Sequence, residues 1–187
     1  PLDRLLYREW LQAPGLSIEL MGASVGAWRM AALAQPDPLA ALDRLQHAYV
    51  RDQNYAEKPG PQDVAEAITR IALAVLDGQA LEVREGVSLT VITSRARGPL
   101  HGRESKLAFA RATLSNALSR ERLATYLERV LFVAGRPGFL AQPFDEFGLV
   151  RVPIDGRNGD AALQASGTIP LLCSPVRDIP GAPAGYY

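Results

Sequence analysis

The 187-residue sequence has one cysteine, two histidines and no excess of either charge, with 20 basic and 20 acidic residues. A lone cysteine, Cys173, excludes an internal disulfide and a cysteine-based metal site, and we expect it to be a small buried apolar residue near the end of a strand-like run. The neutral balance, without a basic stripe, gives no support to nucleic-acid binding. No apolar run approaches the roughly 18–20 residues of a membrane span. We therefore predict no metal, no cofactor and no nucleic-acid partner, and a reducing cytoplasm as the compartment.

The two ends of the chain are unusual. It begins with Pro1 instead of methionine, has no signal peptide, and stops at Tyr187 without a terminating element. This predicts an internal fragment of a longer protein. Because the chain contains no internal repeat or low-complexity tract, we expect a single domain over residues 1–187, truncated at both ends.

Helical and strand-like segments alternate along the chain, which predicts an α/β domain with a mainly parallel central sheet. The predicted strands cover 16–21, 88–94, 130–134 and 149–154. The predicted helices cover 2–12, the residues after Ser24 to about 35, a segment starting at Asp37-Pro38, 62–77, 103–127 in two pieces, and 160–166. Pro38 follows Asp37 as a first helical residue follows its N-cap, and Gly78 is a typical helix end.

The most informative motif is Gly22-Ala23-Ser24-Val25-Gly26, a Gly-x-Ser-x-Gly pattern between a strand-like run and a helical pattern. This order is typical of a nucleophile elbow, a sharp turn that exposes a serine. We expect a side chain at Gly22 or Gly26 to block the close approach of strand and helix, because the turn strains its serine backbone. The positive end of the helix dipole would lie beside the serine oxygen. A glycine-rich turn with an incidental serine is the alternative, and no nucleotide-binding glycine or lysine pattern accompanies it.

A second block lies near the end of the chain. Residues 161–170 read Ala-Ala-Leu-Gln-Ala-Ser-Gly-Thr-Ile-Pro, and Ser-Pro-Val follows at 174–176. With the Gly22–Trp28 block, this segment resembles the patatin-like phospholipase family, in which a Gly-x-Ser-x-Gly block precedes an Ala-Ser-x-x-x-Pro segment. Residues 28–31 and 177–183 resemble one bacterial branch of that family. The resemblance extends over nearly the whole chain.

The resemblance implies a three-layer α/β/α fold and a Ser-Asp dyad without a catalytic histidine. Ser24 corresponds to the nucleophile. The family's aspartate would follow Tyr187 within a few residues, and its glycine-rich oxyanion loop would precede Pro1, so we expect the fragment alone to be inactive. The implied substrate is a lipid or another carboxylic ester, reached through transient contact with a membrane surface and hydrolysed without a cofactor.

Few residues inside the chain are candidate partners for Ser24. Asp155 belongs to an Asp-Gly pair but precedes the Ala-Ser-x-x-x-Pro segment, whereas the family's aspartate follows it, so we expect a turn residue. The other pair, Asp77-Gly78, ends a predicted helix. Neither His47 nor His101 has the late position that an α/β-hydrolase triad requires. We expect both histidines to face solvent or to bond locally.

Two other functions stay open at this point. One is a Ser-His hydrolase or acyltransferase on a related α/β sheet, which a histidine beyond this chain would favour. The other is a catalytically silent interaction domain that keeps the elbow as a structural turn. Arg95 and Arg97 are candidates for an anionic head group, although a solvated strand end is the simpler expectation. Trp28 and Met30 are candidates for an acyl-pocket wall, and core packing explains them as well.

Overall fold

A computed structural model describes residues 2–52, 57–100, 111–112, 114, 120–136, 148–169 and 173–187. Within these residues, four strands form one sheet in the order β1 (Ile18–Ala23), β2 (Val87–Ala96), β3 (Leu127–Ala134) and β4 (Leu149–Pro153). β1 and β2 are parallel, β2 and β3 antiparallel, and β3 and β4 parallel. Two of the three pairs are therefore parallel, and the prediction of an α/β fold with a mostly parallel sheet is confirmed at that level.

The helices begin and end close to the predicted positions. They are α1 (Leu2–Leu6, continued as a π-helical turn over Tyr7–Leu11), α2 (Val25–Ala34), α3 (Pro38–Gln46, continued over His47–Arg51), α4 (Pro61–Leu76) and α5 (Gly159–Gly167). Asp37 caps α3 as predicted, because its carboxylate accepts the Ala40 N–H at 3.1 Å. After α4, Asp77 and Gly78 both adopt positive φ angles, which ends the helix. Among the described residues, no helix has the length and apolarity needed to cross a membrane.

The core lies between one face of the sheet and helices α2 and α5, and it continues between these helices and α3 and α4. Leu89 and Val91 of β2 share this face with Phe132 of β3, and all three are fully buried. Each such side chain stabilises the fold by about 1.5–3 kcal/mol relative to an exposed position. On the opposite face, Leu131 is also fully buried. The centre of the sheet is therefore covered on both faces, which is why its strands are nearly continuous apolar runs.

Two predicted segments differ from the structure. Most of the predicted helix over 103–127 lies outside the described residues, and its end is wrong: Arg120–Thr125 is a 3-10 helix and Leu127 begins β3. There the antiparallel ladder with β2, in which Leu127 pairs with Ala96, overrides the helical pattern. Cys173 is buried as predicted, but it lies in a bend and not in a strand.

Candidate functional site

Ser24 stands at the point where β1 turns into α2. Its φ and ψ are 54° and −135°, a strained conformation for a residue other than glycine, and the residue is exposed. β1 ends at Ala23 and α2 begins at Val25, so Ser24 alone makes the turn. The motif therefore has the strand, strained serine and helix that a nucleophile elbow requires.

The two glycines of the motif have different roles. A Cβ on Gly22 would lie 2.5 Å from the carbonyl carbon of Gly26 and 2.6 Å from the nitrogen of Ala27, so only glycine fits there. A Cβ on Gly26 would meet nothing within 4 Å outside its own helix. The expectation that both side chains would be blocked is thus wrong for Gly26. The backbone of α2 at Gly26 approaches Gly22, whereas a side chain on Gly26 itself would enter open space.

A hydroxyl from the second sequence block supports the elbow. The Ser24 N–H donates to Ser166 Oγ at 2.9 Å, and the Ser166 hydroxyl donates to the Ile92 carbonyl at 2.8 Å. Ile92 is the β2 partner of Ala23 in the parallel register. The structure therefore joins two segments that lie 142 residues apart in sequence. The sequence block contained Ser166, but no pattern in the sequence showed what its side chain would bind.

Trp28 fixes α5, which carries Ser166, against α2. The indole N–H donates to the Leu163 carbonyl at 2.9 Å, and Trp28 is only 3% exposed. A Cβ on Gly167 would lie 2.4 Å from the indole ring, so a larger residue would push the two helices apart. These contacts explain Trp28 by core packing. Met30, the other candidate for an acyl pocket, is partly buried against the same core.

The first turn of α2 has main-chain donors to spare. The N–H groups of Ala27 and Trp28 bond to the Ser24 carbonyl at 2.9 and 3.3 Å. The described part of the chain supplies no acceptor for the N–H groups of Val25 and Gly26. Free amides at a helix N-terminus are suited to hold a negatively charged oxygen. The residue after an elbow serine is the usual source of one oxyanion-hole donor.

Asp155 lies far from Ser24 in the sheet. It follows β4, which runs antiparallel to β1, so Asp155 and Ser24 lie at opposite edges of the sheet. Its carboxylate accepts the Arg157 N–H at 2.8 Å and pairs with the Arg157 guanidinium at 2.6 Å. The Arg157 guanidinium, which donates to the carboxylate, holds the pKa of Asp155 below its usual range. Asp155 is a turn residue, as predicted.

The other candidates in the chain are also held locally. His47 Nδ1 lies 3.0 Å from Asp52 Oδ2 on an exposed surface, as expected of a locally bonded histidine. Asp77 ends α4 and lies 4.0 Å from the Arg44 guanidinium. His101 lies outside the described residues. Among the described residues, no group of three or more His, Cys, Asp or Glu side chains is placed to bind a metal ion.

The structure differs from the expectation that Arg95 is exposed to solvent at the end of a strand. Its side chain is only 18% exposed and pairs with Glu128 at 2.6 Å, while Arg97 is more exposed and lies 3.5 Å from the same carboxylate. The β2–β3 register places Arg95 directly opposite Glu128, which favours the ion pair. Arg95 also donates to the Ala184 carbonyl at 3.1 Å. Arg95 therefore connects a later segment of the chain to the sheet. Because the ion pair depends on the β2–β3 register, the sequence alone did not reveal it.

That segment, residues 176–187, lies at the edge of the sheet where Ser24 stands. Val176 and Tyr187 exchange main-chain hydrogen bonds at 3.1 and 2.8 Å, and Ala96 of β2 donates to the Tyr186 carbonyl at 2.9 Å. The Tyr187 ring packs edge-on against Phe132, with 6.3 Å between centroids. Burial raises the pKa of Tyr187 to about 12, so its phenol is neutral at physiological pH. Because β1 and β2 are parallel, their carboxyl ends and this segment share one edge.

Two open grooves occur along α4, with volumes of about 350 and 610 Å³, and neither is lined by Ser24 or its neighbours. Comparisons with protein-family models, with curated proteins and with solved structures find no match to this chain.

Proposed function

We propose that this chain carries the nucleophile of a serine acyl hydrolase that cleaves lipid or other carboxylic esters, on a patatin-like three-layer α/β/α fold. The observation that carries the proposal is the backbone of Ser24, which is strained at φ 54° and exposed at the start of α2. Strained backbone conformations persist where the surroundings enforce them and cluster at active sites. The Ser166 bridge between the two sequence blocks supports the same proposal.

In the proposed reaction, Ser24 Oγ attacks the carbonyl carbon of the ester while a carboxylate accepts the hydroxyl proton. The carbonyl oxygen becomes an oxyanion, which in this proposal accepts hydrogen bonds from the N–H groups of Val25 and Gly26, for which the described residues supply no other acceptor. The bond from the acyl carbon to the alcohol oxygen then breaks, and the alcohol leaves with the proton from the carboxylic acid. Water, deprotonated by the same carboxylate, releases the acid from the acyl-enzyme.

The proposed base is an aspartate that follows Tyr187 in a longer protein, as the family resemblance implies. Its support is the position of residues 176–187 at the carboxyl end of β2, next to β1, which Ser24 follows. No described carboxylate is hydrogen-bonded to Ser24, and Asp155 lies at the opposite edge. The matching aspartate would therefore enter the site from the same edge as the nucleophile.

The proposal includes transient contact with a membrane surface as the source of lipid substrate. Its support is the N-terminal helix, on which Leu2, Leu5 and Trp10 are 61%, 56% and 69% exposed. Exposed apolar side chains on a helix of this kind can enter the interface of a bilayer. The packing of α1 against α2 through Asp3 and Arg29 places this helix beside the one that starts at Ser24.

The test is reaction of the full-length protein with a fluorophosphonate probe and with short-chain and phospholipid esters. We expect Ser24→Ala to abolish labelling and to lower ester hydrolysis by more than about a thousandfold, because the attacking oxygen is removed. Ser94→Ala is the matched control, since Ser94 is another exposed serine at the same edge of the sheet. Undiminished hydrolysis in Ser24→Ala would refute the proposal. A folded wild-type protein that the probe does not label would favour a catalytically silent domain.

A further inference from the structure

We propose that Ser166 is a positioning residue for Ser24, and that its hydroxyl holds the nucleophile in the backbone conformation that attack requires. The inference rests on the proposed function, because it concerns how Ser24 is kept reactive. It differs from that function in assigning a role to a side chain that does not touch the substrate.

The first support is the direction of the two hydrogen bonds. A serine hydroxyl has one proton and two lone pairs. The main-chain carbonyl of Ile92 can only accept, so it takes the Ser166 proton at 2.8 Å. The Ser24 N–H can only donate, so it meets a lone pair of Ser166 Oγ at 2.9 Å. Both bonds are therefore fixed in direction, and only one orientation of the hydroxyl satisfies both neighbours.

The second support is where the hydroxyl stands. Ala23 and Ile92 are the last paired residues of β1 and β2, and the chain leaves the sheet at Ser24. The Ser166 hydroxyl spans the gap that opens there, between the amide of the turn and the carbonyl of the neighbouring strand. It takes the place of a direct main-chain bond between the two strands. The turn thus keeps a partner for its amide although it has left the sheet.

The third support is that α5, which carries Ser166, is held against α2. Trp28 of α2 holds α5 in place. Its indole N–H donates to the Leu163 carbonyl, and its ring lies against Gly167. Gly167 is the residue after Ser166. The position of the hydroxyl is therefore set by α2 itself, one turn beyond the nucleophile.

Loss of the hydroxyl would leave two main-chain groups without a partner. The Ser24 amide would then be free to rotate out of its strained conformation, since one of the contacts that enforce it is gone. Displacement of a catalytic group by about 1 Å can cost about a hundredfold in rate. In the proposed reaction the Ser24 N–H donates to Ser166 and not to the substrate, so we expect the loss to fall on kcat and not on KM.

The experiment compares wild type with four variants of the full-length protein by ester hydrolysis and by the rate of fluorophosphonate labelling. We expect Ser166→Ala to lower kcat and the labelling rate by about 10- to 100-fold, with KM within about twofold of wild type. Ser166→Thr keeps a hydroxyl and should restore most of the rate. Ser166→Cys keeps the volume but accepts hydrogen bonds weakly, so its rate should lie between those of the alanine and threonine variants.

Thr168→Val is the matched control. Thr168 lies two residues beyond Ser166, and its hydroxyl donates to the Gln164 carbonyl of the same helix at 3.1 Å, so its loss removes a bond without touching Ser24. We expect this variant to react at the wild-type rate. Amide hydrogen exchange at Ser24 gives a second readout, and exchange should be faster in Ser166→Ala than in Thr168→Val.

The inference is overturned if Ser166→Ala reacts at the wild-type rate, or if Thr168→Val loses as much activity as Ser166→Ala. It is also overturned if the cysteine variant is as fast as wild type, because a weak acceptor would then suffice. These results are distinguishable from failure of the proposed function. If Ser24→Ala stays active, the function fails, whereas an inert Ser24→Ala with a fully active Ser166→Ala refutes positioning alone.

Discussion

At the scale of single residues, Ser24 adopts a conformation that costs about 1–3 kcal/mol and that isolated serine would avoid. Three contacts hold it there: the close approach of the α2 backbone to Gly22, the bond from its amide to Ser166, and the helical bonds to its carbonyl. Each acts on a different part of the turn. The strain is therefore maintained by its neighbours and not by the serine itself.

The two motif glycines give a paired prediction. Gly22→Ala places a Cβ 2.5 Å from the α2 backbone, which cannot move aside, so we expect a loss of about 1–3 kcal/mol or more in the free energy of unfolding. Gly26→Ala meets open space on a helix, where alanine is favoured over glycine, and should stabilise the protein by up to about 1 kcal/mol. Denaturant unfolding measures both. Equal losses in the two variants would contradict this account of the turn.

At the scale of elements, α1 is attached to the rest of the protein by polar contacts more than by burial. None of the residues Leu2–Leu6 is buried. Arg29 of α2 donates two hydrogen bonds to the Asp3 carboxylate, at 2.7 and 2.6 Å. Arg84 lies over the Tyr7 ring, 5.5 Å from its centroid. The predicted helix is therefore present, but most of its large apolar side chains do not enter the core.

The Asp3–Arg29 pair predicts a pH dependence. The hydrogen bond from Arg29 is the main reason that the pKa of Asp3 is lowered in the folded protein. A lowered folded-state pKa contributes stability above the unfolded pKa, and that contribution is lost as the pH falls through the folded value. Because Arg29 is 43% exposed, solvent screening limits the contribution to about 0.5–1 kcal/mol.

We therefore expect Asp3→Asn to be less stable than wild type at pH 7, and the difference to shrink as the pH falls below about 4. Thermal unfolding of both proteins between pH 3 and 7 measures it. Asp37→Asn is a useful control for loss of an aspartate charge, since asparagine also caps helices. A difference that is constant over this range would contradict the role of the ion pair.

The ion pair of Arg95 and Glu128 attaches residues 176–187 to the sheet. Glu128 is 9% exposed, so Glu128→Gln leaves the Arg95 charge poorly solvated and unpaired. We expect a loss of about 3 kcal/mol and faster amide exchange at Tyr187, whose N–H bonds to Val176. Joint replacement by apolar residues, Arg95→Met with Glu128→Leu, should recover most of the stability. If the double variant is as unstable as Glu128→Gln, desolvation of the charge is not the cause.

At the scale of the whole molecule, the direction of the strands determines which residues can meet. The parallel β1–β2 pair brings the elbow, the carboxyl end of β2 and residues 176–187 to one edge of the sheet. The antiparallel β2–β3 pair carries β4, and with it Asp155, to the other edge. This separation explains why Asp155 is a turn residue and not a partner for Ser24.

Local patterns in the sequence were sufficient to place most elements. Helix α3 follows from Asp37-Pro38, the end of α4 from Gly78, and the elbow from two glycines around Ser24. The direction of β3 could not be predicted, because it depends on the long connection after β2 and not on the apolar run itself. The same limit hid the Arg95–Glu128 pair, since its two charges meet only through the β2–β3 register.

The site was predictable only in part, for a related reason. The motif fixed the turn, but the contribution of Ser166 depends on how α5 packs on α2 across 142 residues of sequence. For Ser166 the sequence contained too little information, whereas for Gly26 the motif suggested too much. It predicted steric blocking at both glycines, but only a side chain on Gly22 would be blocked. Packing between distant segments, and not local pattern, decides both cases.

The proposed role of Ser24 as the nucleophile is tested most directly by locating the covalent adduct. The folded, full-length protein is treated with a fluorophosphonate, digested, and sequenced by tandem mass spectrometry. The account predicts a single phosphonylated residue, Ser24, with no adduct on Ser94 or Ser166. An adduct on another residue, or an unmodified Ser24 in a protein that hydrolyses esters, would contradict it.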